Sequence, residues 1–352
     1  MKQVYLSLLL AGLTAAPALG QKTTVNAFPK PLAPVANAGM KAPQFHLPSA
    51  IDDKKKGITM YAGQRLDQSK HRSWVKWQTG DSFNFTKIYE YIHHDKYNED
   101  QQRGIYMGAY DSSNDTYYAF FNMHYTYGDM PMALAKVDML TGDTTNVFQF
   151  ADLAKPDVEQ TAWYNGRYKY AMAYDPVNEV MYALGADYEN GDPNLGYTVL
   201  YEVNLNATTL NDLFTKVKDM DGLYWDFCFD AQGNAWFAQK YGGSDGIVKG
   251  TNLVKMDGDF NRISEVKMQS EWGEDINSIY FSTMYFDNST GDLYYLPCSD
   301  YGSTSLYKVN PTTGISQSVA WFNQGNHFTG LYIPYLTADN AAAPARVSGL
   351  DA

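Results

Sequence analysis

Carboxylate side chains are the groups in this sequence with the clearest capacity for chemistry. Four of them share one setting, since each closes a strand-like segment just before a polar turn; they are Asp111, Asp175, Asp230 and Asp287. A side chain repeated at that place is expected to cap the turn by accepting backbone N–H bonds. Catalysis instead needs an asymmetric pair with different pKa values. Asp226 and Asp275 break the repeat and are therefore the two acidic candidates for catalysis.

Other motifs for catalysis or metal binding are absent or less specific. The sequence contains no Gly-x-Ser-x-Gly, phosphate-loop or dinucleotide-binding motif. His93 and His94 are adjacent, so on a strand they would point to opposite sides, and a solvated loop is the simpler interpretation. The segment 187–194 gathers oxygen donors that suit calcium, but it lacks the ordered spacing of a calcium loop and equally resembles an ordinary turn. We therefore expect no cofactor, with calcium at this segment as the open alternative.

The chain has two cysteines, Cys228 and Cys298, and neither lies in a recognisable catalytic context. Two cysteines cannot form a disulfide framework. A single bridge between them and a pair of buried thiols both remain open, and the aromatic surroundings of Cys228 favour buried thiols.

Aromatic side chains are the more informative candidates for binding. The sequence contains 29 Tyr, 17 Phe and 7 Trp, a composition typical of pleated, half-buried strands. Some aromatics instead fall in segments between strands, beside Gly, Asp or amide residues, where they could pack against a sugar face or a peptide side chain. The alternative is that they cover blade edges. The predicted ligand-binding set is Tyr127, Trp163, Tyr188, Tyr241, Trp272 and Tyr301.

Strands that could position these residues follow from an internal repeat. In four units a first strand ends in an aromatic residue and Asp, a turn follows, and a second strand brings another aromatic residue; these are Tyr118, Tyr182, Trp236 and Tyr294. A third strand then ends in a hydrophobic residue plus Asp or Asn, followed by a further turn and a fourth strand. Four antiparallel strands per unit is the plan of a β-propeller blade.

The two ends of the repeat region complement each other. Residues 58–64, 73–79 and 85–92 predict three strands, and 327–335 repeats the first-strand pattern alone. Three strands and one strand together make a fifth blade, which would close the ring and remove exposed sheet edges. The sequence therefore predicts an all-β fold, a five-bladed propeller closed by strands from both termini.

Residues 57–337, with the repeated aromatic–Asp turns described above, resemble secreted bacterial β-propellers with YVTN-like or WD40-like blades. Residues 338–352 are predicted to be a linker. Within them, 343–350 (APARVSGL) is similar to the start of a fibronectin type III module. That resemblance implies a piece, or a shortened relative, of a longer modular surface protein.

The first twenty residues predict a secretory signal, with Lys2 before the apolar stretch from Val4 to Leu13 and small residues before a cleavage site. Residues 21–56 are rich in Pro, Ala and Lys and predict a flexible leader. No later stretch has the roughly twenty apolar residues of a transmembrane helix. We expect a secreted, periplasmic or cell-surface protein, either monomeric or part of a longer modular chain.

A formal net charge of −12 argues against nucleic acid and anionic membrane as partners, because both carry negative phosphate groups. Three functions stay open. The first is a non-catalytic propeller that binds a glycan or an extracellular protein through its aromatic loops. The second is a polysaccharide hydrolase or lyase that uses acidic residues near the central channel, and the third is a structural spacer. Two or three carboxylates converging at the ring centre within about 5–10 Å would favour the enzyme.

Overall fold

A computed structural model of the chain describes only part of its 352 residues, all within the unit Gly39–Ala352. The predicted signal, leader and C-terminal linker lie outside the described residues. The described ranges are 58–66, 72–79, 84–94, 100–114, 116–125, 128–149, 167–187, 197–208, 210–242, 248–278, 282–287, 290–298, 305–323 and 325–333.

Within these ranges the chain forms strands almost throughout and a single four-residue helix. The first strands are β1 (Thr59–Leu66), β2 (Ser73–Gln78), β3 (Thr86–Glu90), β4 (Ile92–His94), β5 (Asp100–Asp111), β6 (Thr116–Tyr125), β7 (Gly128–Val137) and β8 (Thr144–Gln149). The next elements are β9 (Arg167–Asp175), β10 (Val180–Asp187), β11 (Tyr197–Val203), α1 (Leu210–Leu213) and β12 (Phe214–Asp219). The third group is β13 (Tyr224–Phe229), β14 (Ala235–Gly242), β15 (Val248–Met256) and β16 (Arg262–Lys267). The last strands are β17 (Gln269–Ser270), β18 (Thr283–Asp287), β19 (Asp292–Leu296), β20 (Ser305–Val309), β21 (Ile315–Trp321) and β22 (His327–Tyr332).

These strands form five sheets, the five blades of a β-propeller, which confirms the predicted fold. Blade 1 has the order β4-β5-β6-β7-β8, blade 2 is β9 to β12 and blade 3 is β13 to β16. Blade 4 has the order β18-β19-β20-β21-β17, and blade 5 has the order β22-β1-β2-β3. Blade 5 therefore combines three N-terminal strands with one C-terminal strand, as the complementary ends of the repeat predict.

Two short strands were not predicted from the repeat. β4 pairs with the beginning of β5, on the side of β5 opposite β6. In a four-stranded blade this inner edge would have no partner strand. β17 lies parallel to β21, so a segment that follows blade 3 covers the outer edge of blade 4. Added backbone pairing of this kind protects an edge that would otherwise expose N–H and C=O groups.

The innermost strands β5, β9, β13, β18 and β22 contact one another in that order around a closed ring. Hydrogen bonds between side chain and backbone join four of the five neighbouring pairs. Tyr170 Oη donates to Tyr224 O at 2.7 Å, and Asp226 Oδ2 accepts from Met284 N at 2.5 Å. Thr283 Oγ1 accepts from Leu331 N at 2.8 Å, and Thr329 Oγ1 donates to Tyr106 O at 3.0 Å. Because β22 takes part in two of these contacts, ring closure depends on the C-terminal strand.

Aromatic rings fill the space between the closing blade and blade 1. Tyr117 reaches from β6 between two glycines of innermost strands, and its hydroxyl donates to Gly330 O at 2.6 Å. A Cβ atom would lie 2.4 Å from Tyr117 Oη at Gly108 and 2.0 Å from it at Gly330, whose φ is +61°. Only glycine fits so close an approach with that backbone conformation. The packing near the ring centre is therefore tight.

Among the described residues, no helix is long and apolar enough to cross a membrane.

Candidate binding site on the loop face

Antiparallel strands place the connections of each blade at two opposite ends. Counting from the ring centre, the turns between first and second strands and between third and fourth strands lie at one end, here called the turn face. The connections between second and third strands, and those between blades, lie at the other end, here called the loop face. The predicted binding aromatics belong to the loop face, and the repeated aspartates belong to the turn face.

The repeated aspartates cap turns, as predicted. In three units Oδ1 accepts the backbone N–H two residues later: Ser113 to Asp111 at 2.9 Å, Val177 to Asp175 at 2.9 Å and Gln232 to Asp230 at 3.0 Å. In the fourth unit Asp287 accepts the Thr290 hydroxyl at 2.9 Å. These carboxylates hold the hairpins that connect the first and second strands of blades 1 to 4.

Asp226 is the acidic candidate that lies at the ring centre, third in strand β13. It is buried, and its Oδ2 accepts from Met284 N on the neighbouring innermost strand β18. Burial raises the pKa of its carboxyl well above the usual range, against hydrogen bonds from Phe227, Met284 and Thr283 that lower it. The other carboxylates of the described innermost strands lie at strand ends, at Asp100, Asp111, Asp175 and Asp287. Asp226 therefore has a joining role between blades 3 and 4.

Asp275 does not lie near an innermost strand, so its prediction as a residue of the ring centre is wrong. It pairs as an isolated bridge with Gln269, whose strand β17 runs along the outer strand β21. Lys267 Nζ lies 2.7 Å from Asp275 Oδ1, and Gln269 Nε2 donates to the same oxygen at 2.9 Å. Tyr241, near the end of β14, donates its hydroxyl to Asp275 Oδ2 at 2.7 Å. Three donors from three strands thus converge on one carboxylate at the loop face.

A tight turn rises from this polar cluster and carries Trp272. Two hydrogen bonds between Ser270 and Glu274 close the turn. The Ser270 N–H donates to Glu274 O at 2.8 Å, and Ser270 Oγ accepts from Glu274 N at 3.1 Å. Gly273 has a φ of +82°, which a glycine adopts without strain. Trp272 is 76% exposed, the largest value among the large hydrophobic side chains described as exposed. The turn therefore presents an indole ring to solvent on a hydrogen-bonded support.

The charges of the cluster are fixed over the neutral pH range. Hydrogen bonds from Lys267, Gln269 and Tyr241 lower the pKa of Asp275 to about 2. The hydrogen bond to Asp275 in turn raises the pKa of Lys267. The Lys267 ammonium also lies 5.3 Å from the centroid of the Tyr241 ring, a cation–π distance. Lys267 and Asp275 compensate each other, whereas the exposed Glu271 and Glu274 on either side of Trp272 give the turn a formal negative charge beside its aromatic surface.

Of the six predicted binding aromatics, the structure brings Tyr241 and Trp272 to the same site. Tyr241 supports the carboxylate at the base of the turn, and Trp272 occupies its tip. The other four, Tyr127, Trp163, Tyr188 and Tyr301, lie outside the described residues. Tyr224, from the same class of loop-face aromatics, is fully buried on β13 and packs edge-on against Phe237, so it belongs to the core.

Lys267 and Gln269 were missed by sequence reasoning. They precede Asp275 by eight and six positions, and nothing in that spacing indicates that β17 pairs with a distant strand. The polar character of the stretch 269–275, interrupted by Trp272 and Gly273, was the one available signal. His93 and His94 form part of strand β4, so the interpretation as a loop is wrong. The segment proposed for calcium has only Asp187 among the described residues.

Both cysteines are free and buried, which confirms the interpretation as thiols over a bridge. Their surroundings differ. Burial raises the pKa of the Cys228 thiol well above its usual range, and the nearby carboxylates of Asp226 and Asp230 raise it further. Cys298 Sγ lies 3.1 Å from His327 Nδ1.

Comparisons with protein-family models and with curated proteins gave no match. Similar solved structures include a GH43_1 enzyme from Xanthomonas citri complexed with xylotriose, at 11% identity and a TM-score of 0.40, covering 61% of this chain and 73% of that chain. A gluconolactonase from Xanthomonas campestris is 8% identical with a TM-score of 0.28, covering 78% of this chain and 86% of that chain. The Dos1 propeller is 8% identical with a TM-score of 0.34, covering 76% and 85%. Identities of 8–11% and TM-scores of 0.28–0.40 are too low to carry an argument about function.

Proposed function

We propose that this protein is a non-catalytic binding propeller, exported to the periplasm, the cell surface or the medium, which recognises a glycan through the loop face of blade 3. The observation that carries the proposal is the exposure of Trp272 on a braced turn directly beside the Tyr241, Lys267, Gln269 and Asp275 cluster. A sugar ring has one apolar face and a rim of hydroxyls. An exposed indole matches the face, and neighbouring carboxylate, amide and ammonium groups match the rim.

The rigidity of the site supports binding over a purely structural role. Tyr241 pairs with Gly250 on the neighbouring strand β15, and its ring lies against that glycine. A Cβ atom at position 250 would lie 2.6 Å from the Tyr241 hydroxyl. Its ring position is therefore determined by the sheet. A Tyr241 ring held in this way loses little conformational entropy when a ligand binds, which favours affinity. Burying an indole that is 76% exposed would also remove a large apolar area from water.

The ring centre gives less support to a glycosidase. Retaining and inverting glycosidases generally place two carboxyl groups about 5–10 Å apart on either side of the scissile bond. Within the described innermost strands, Asp226 is the carboxylate that lies away from a strand end, and its Oδ2 is engaged by Met284 N. Asp275, the second acidic candidate, belongs to the loop face near the outer strands. The two carboxylates proposed for catalysis are thus parts of different regions.

The proposal can be tested with the chain from residue 21 onward on a glycan array and, in parallel, an array of extracellular-matrix proteins. We expect glycan binding that weakens by about 1–3 kcal/mol in Trp272→Ala, the range for an aromatic residue at the centre of an interface. Leu140→Ala is the matched control, because Leu140 is another exposed apolar residue in a tight turn but lies on the turn face. It should bind as tightly as the wild type.

Two outcomes would contradict glycan recognition at this site. One is a glycan hit whose affinity is the same in Trp272→Ala, Leu140→Ala and the wild type. The other is a set of hits confined to proteins, which would make the loop face a protein-binding surface. Release of reducing ends from a bound polysaccharide, abolished by Asp226→Asn, would instead support the hydrolase.

A further inference from the structure

A thiol and an imidazole meet at the junction of blades 4 and 5. Cys298 follows β19 where that strand reaches the loop face, and His327 begins the innermost strand β22 at the same end. Their Sγ and Nδ1 atoms lie 3.1 Å apart, which is hydrogen-bond distance for sulfur. If Nδ1 accepts the thiol proton, the imidazole acts as the base that a nucleophilic cysteine requires.

The backbone of Cys298 is held in place by a buried serine. Ser278 Oγ accepts from Cys298 N at 3.0 Å and donates to Cys298 O at 3.3 Å. His327 is held by its strand, in register with Leu66 of β1. Ser278 on one side and strand β22 on the other therefore fix the approach of the thiol to the imidazole, so the pair is a built feature of the closed ring.

The pair also lies close to solvent. Cys298 itself is 2% exposed, but its partner His327, the first residue of β22 at the loop face, is only partly buried. His327 is therefore the more exposed member of the pair. Cys228 is the comparison within the same molecule, since it is buried to a similar degree near the end of β13, and burial with two neighbouring carboxylates raises the pKa of its thiol.

We infer that Cys298 is a reactive thiol, activated by His327, which exchanges with small disulfides at the loop-face end of the junction between blades 4 and 5. The thiol proton passes to His327 Nδ1, and the Cys298 thiolate attacks one sulfur of the disulfide. A new S–S bond forms as the old one breaks, and the departing thiolate takes the proton from the imidazolium. The products are a mixed disulfide on Cys298 and one equivalent of free small thiol. The inference does not depend on the proposed glycan function.

The test compares the two cysteines within one folded protein. The wild-type chain is incubated with oxidised glutathione at pH 7, digested and mapped by mass spectrometry over time. We expect glutathione on Cys298 to accumulate at least about tenfold faster than on Cys228, because a thiol with an imidazole base beside it reacts faster than a buried thiol without one. Cys298→Ser should remove the fast-reacting site and leave the slow rate of Cys228 unchanged.

His327→Gln separates activation from mere exposure. Glutamine fills much of the same space and can accept a hydrogen bond, but it does not take up the thiol proton. We expect the Cys298 rate to fall by about tenfold, while the Cys228 rate and the melting temperature stay at their wild-type values. The inference is overturned if Cys298 and Cys228 react equally slowly in the folded wild type. It is equally overturned if His327→Gln reacts at the wild-type rate, because the imidazole would then have no part in the reaction.

Discussion

Asp226 at the ring centre and Asp275 on the loop face are both hydrogen-bonded carboxylates, yet their pKa values move in opposite directions. Burial raises the pKa of Asp226 well above its usual range, whereas Lys267 and two further donors lower that of Asp275 to about 2. The first carboxylate is surrounded by packed strands, and the second by solvent and a cation. The carboxylate at the ring centre therefore stabilises the fold, whereas the loop face presents accessible charged and aromatic groups.

Two tryptophans show the same contrast. Trp74 on β2 has no exposed surface, packs 4.9 Å from the Tyr117 ring centroid and donates its Nε1–H to Met139 O at 2.9 Å. Trp272 is mostly exposed. The first ring fills the core beside the closing blade, and the second covers nothing in the described part of the protein. Identical residue types therefore have different roles according to the region in which they lie.

Removing the C-terminal strand should have the largest effect on the ring centre. A chain that ends after residue 324 lacks β22, so β1 keeps β2 but loses its inner ladder partner, and the neighbouring innermost strands lose the contacts of Thr329 and Leu331. We expect loss of cooperative unfolding and concentration-dependent association, measured by thermal denaturation and light scattering. A chain that ends after residue 340 keeps β22 and is the control. A monomeric shorter chain with the wild-type melting temperature would disprove closure through β22.

The tryptophan contrast predicts a smaller but still clear difference. Trp74→Ala empties a packed aromatic position and should lower the free energy of unfolding by about 3–5 kcal/mol. Trp272→Ala should change it by no more than about 0.5 kcal/mol, because an exposed side chain leaves no cavity. Urea denaturation of both variants measures the two values. A large loss in Trp272→Ala would mean that its ring is part of the packing, and the binding platform would have to be abandoned.

The two aspartates predict the smallest effect, a difference in pH dependence. A carboxyl whose pKa is raised by folding contributes stability that is present below the unfolded value of about 3.9 and is lost as the pH rises toward the folded pKa. Asp226→Asn removes this titration, and its amide oxygen can still accept from Met284 N. Relative to the wild type, the variant should therefore gain stability as the pH rises above about 4.

Asp275→Asn is the control for that measurement, with the opposite sign. A carboxyl whose pKa falls to about 2 contributes stability above the unfolded value, and that contribution is lost as the pH falls toward 2. The variant should therefore differ from the wild type in the neutral range and approach it in acid. Parallel pH profiles for Asp226→Asn and the wild type, by chemical denaturation, would contradict the burial argument for Asp226.

The blade plan was predictable because its signals are local. The aromatic–Asp pair, the turn and the returning strand lie within about a dozen residues, and a short hairpin allows few arrangements. The capping role of Asp111 and its counterparts follows from the same local chemistry, since the bonded N–H is two residues away. The closing blade followed from counting strands, because a ring leaves no other partner for one strand at one end and three at the other.

Sequence alone thus determined the repeated hairpins, the capping aspartates and the number of blades. Tertiary structure decided which carboxylate is buried, which tryptophan is exposed and which residues surround Asp275. The parallel pairing of β17 with β21 joins Gln269 to Ile315, and the contact of Cys298 with His327 joins two blades. Such contacts bring together residues that are far apart in the chain, and no local propensity or spacing encodes them. They follow only when the closed ring sets the distance between blades.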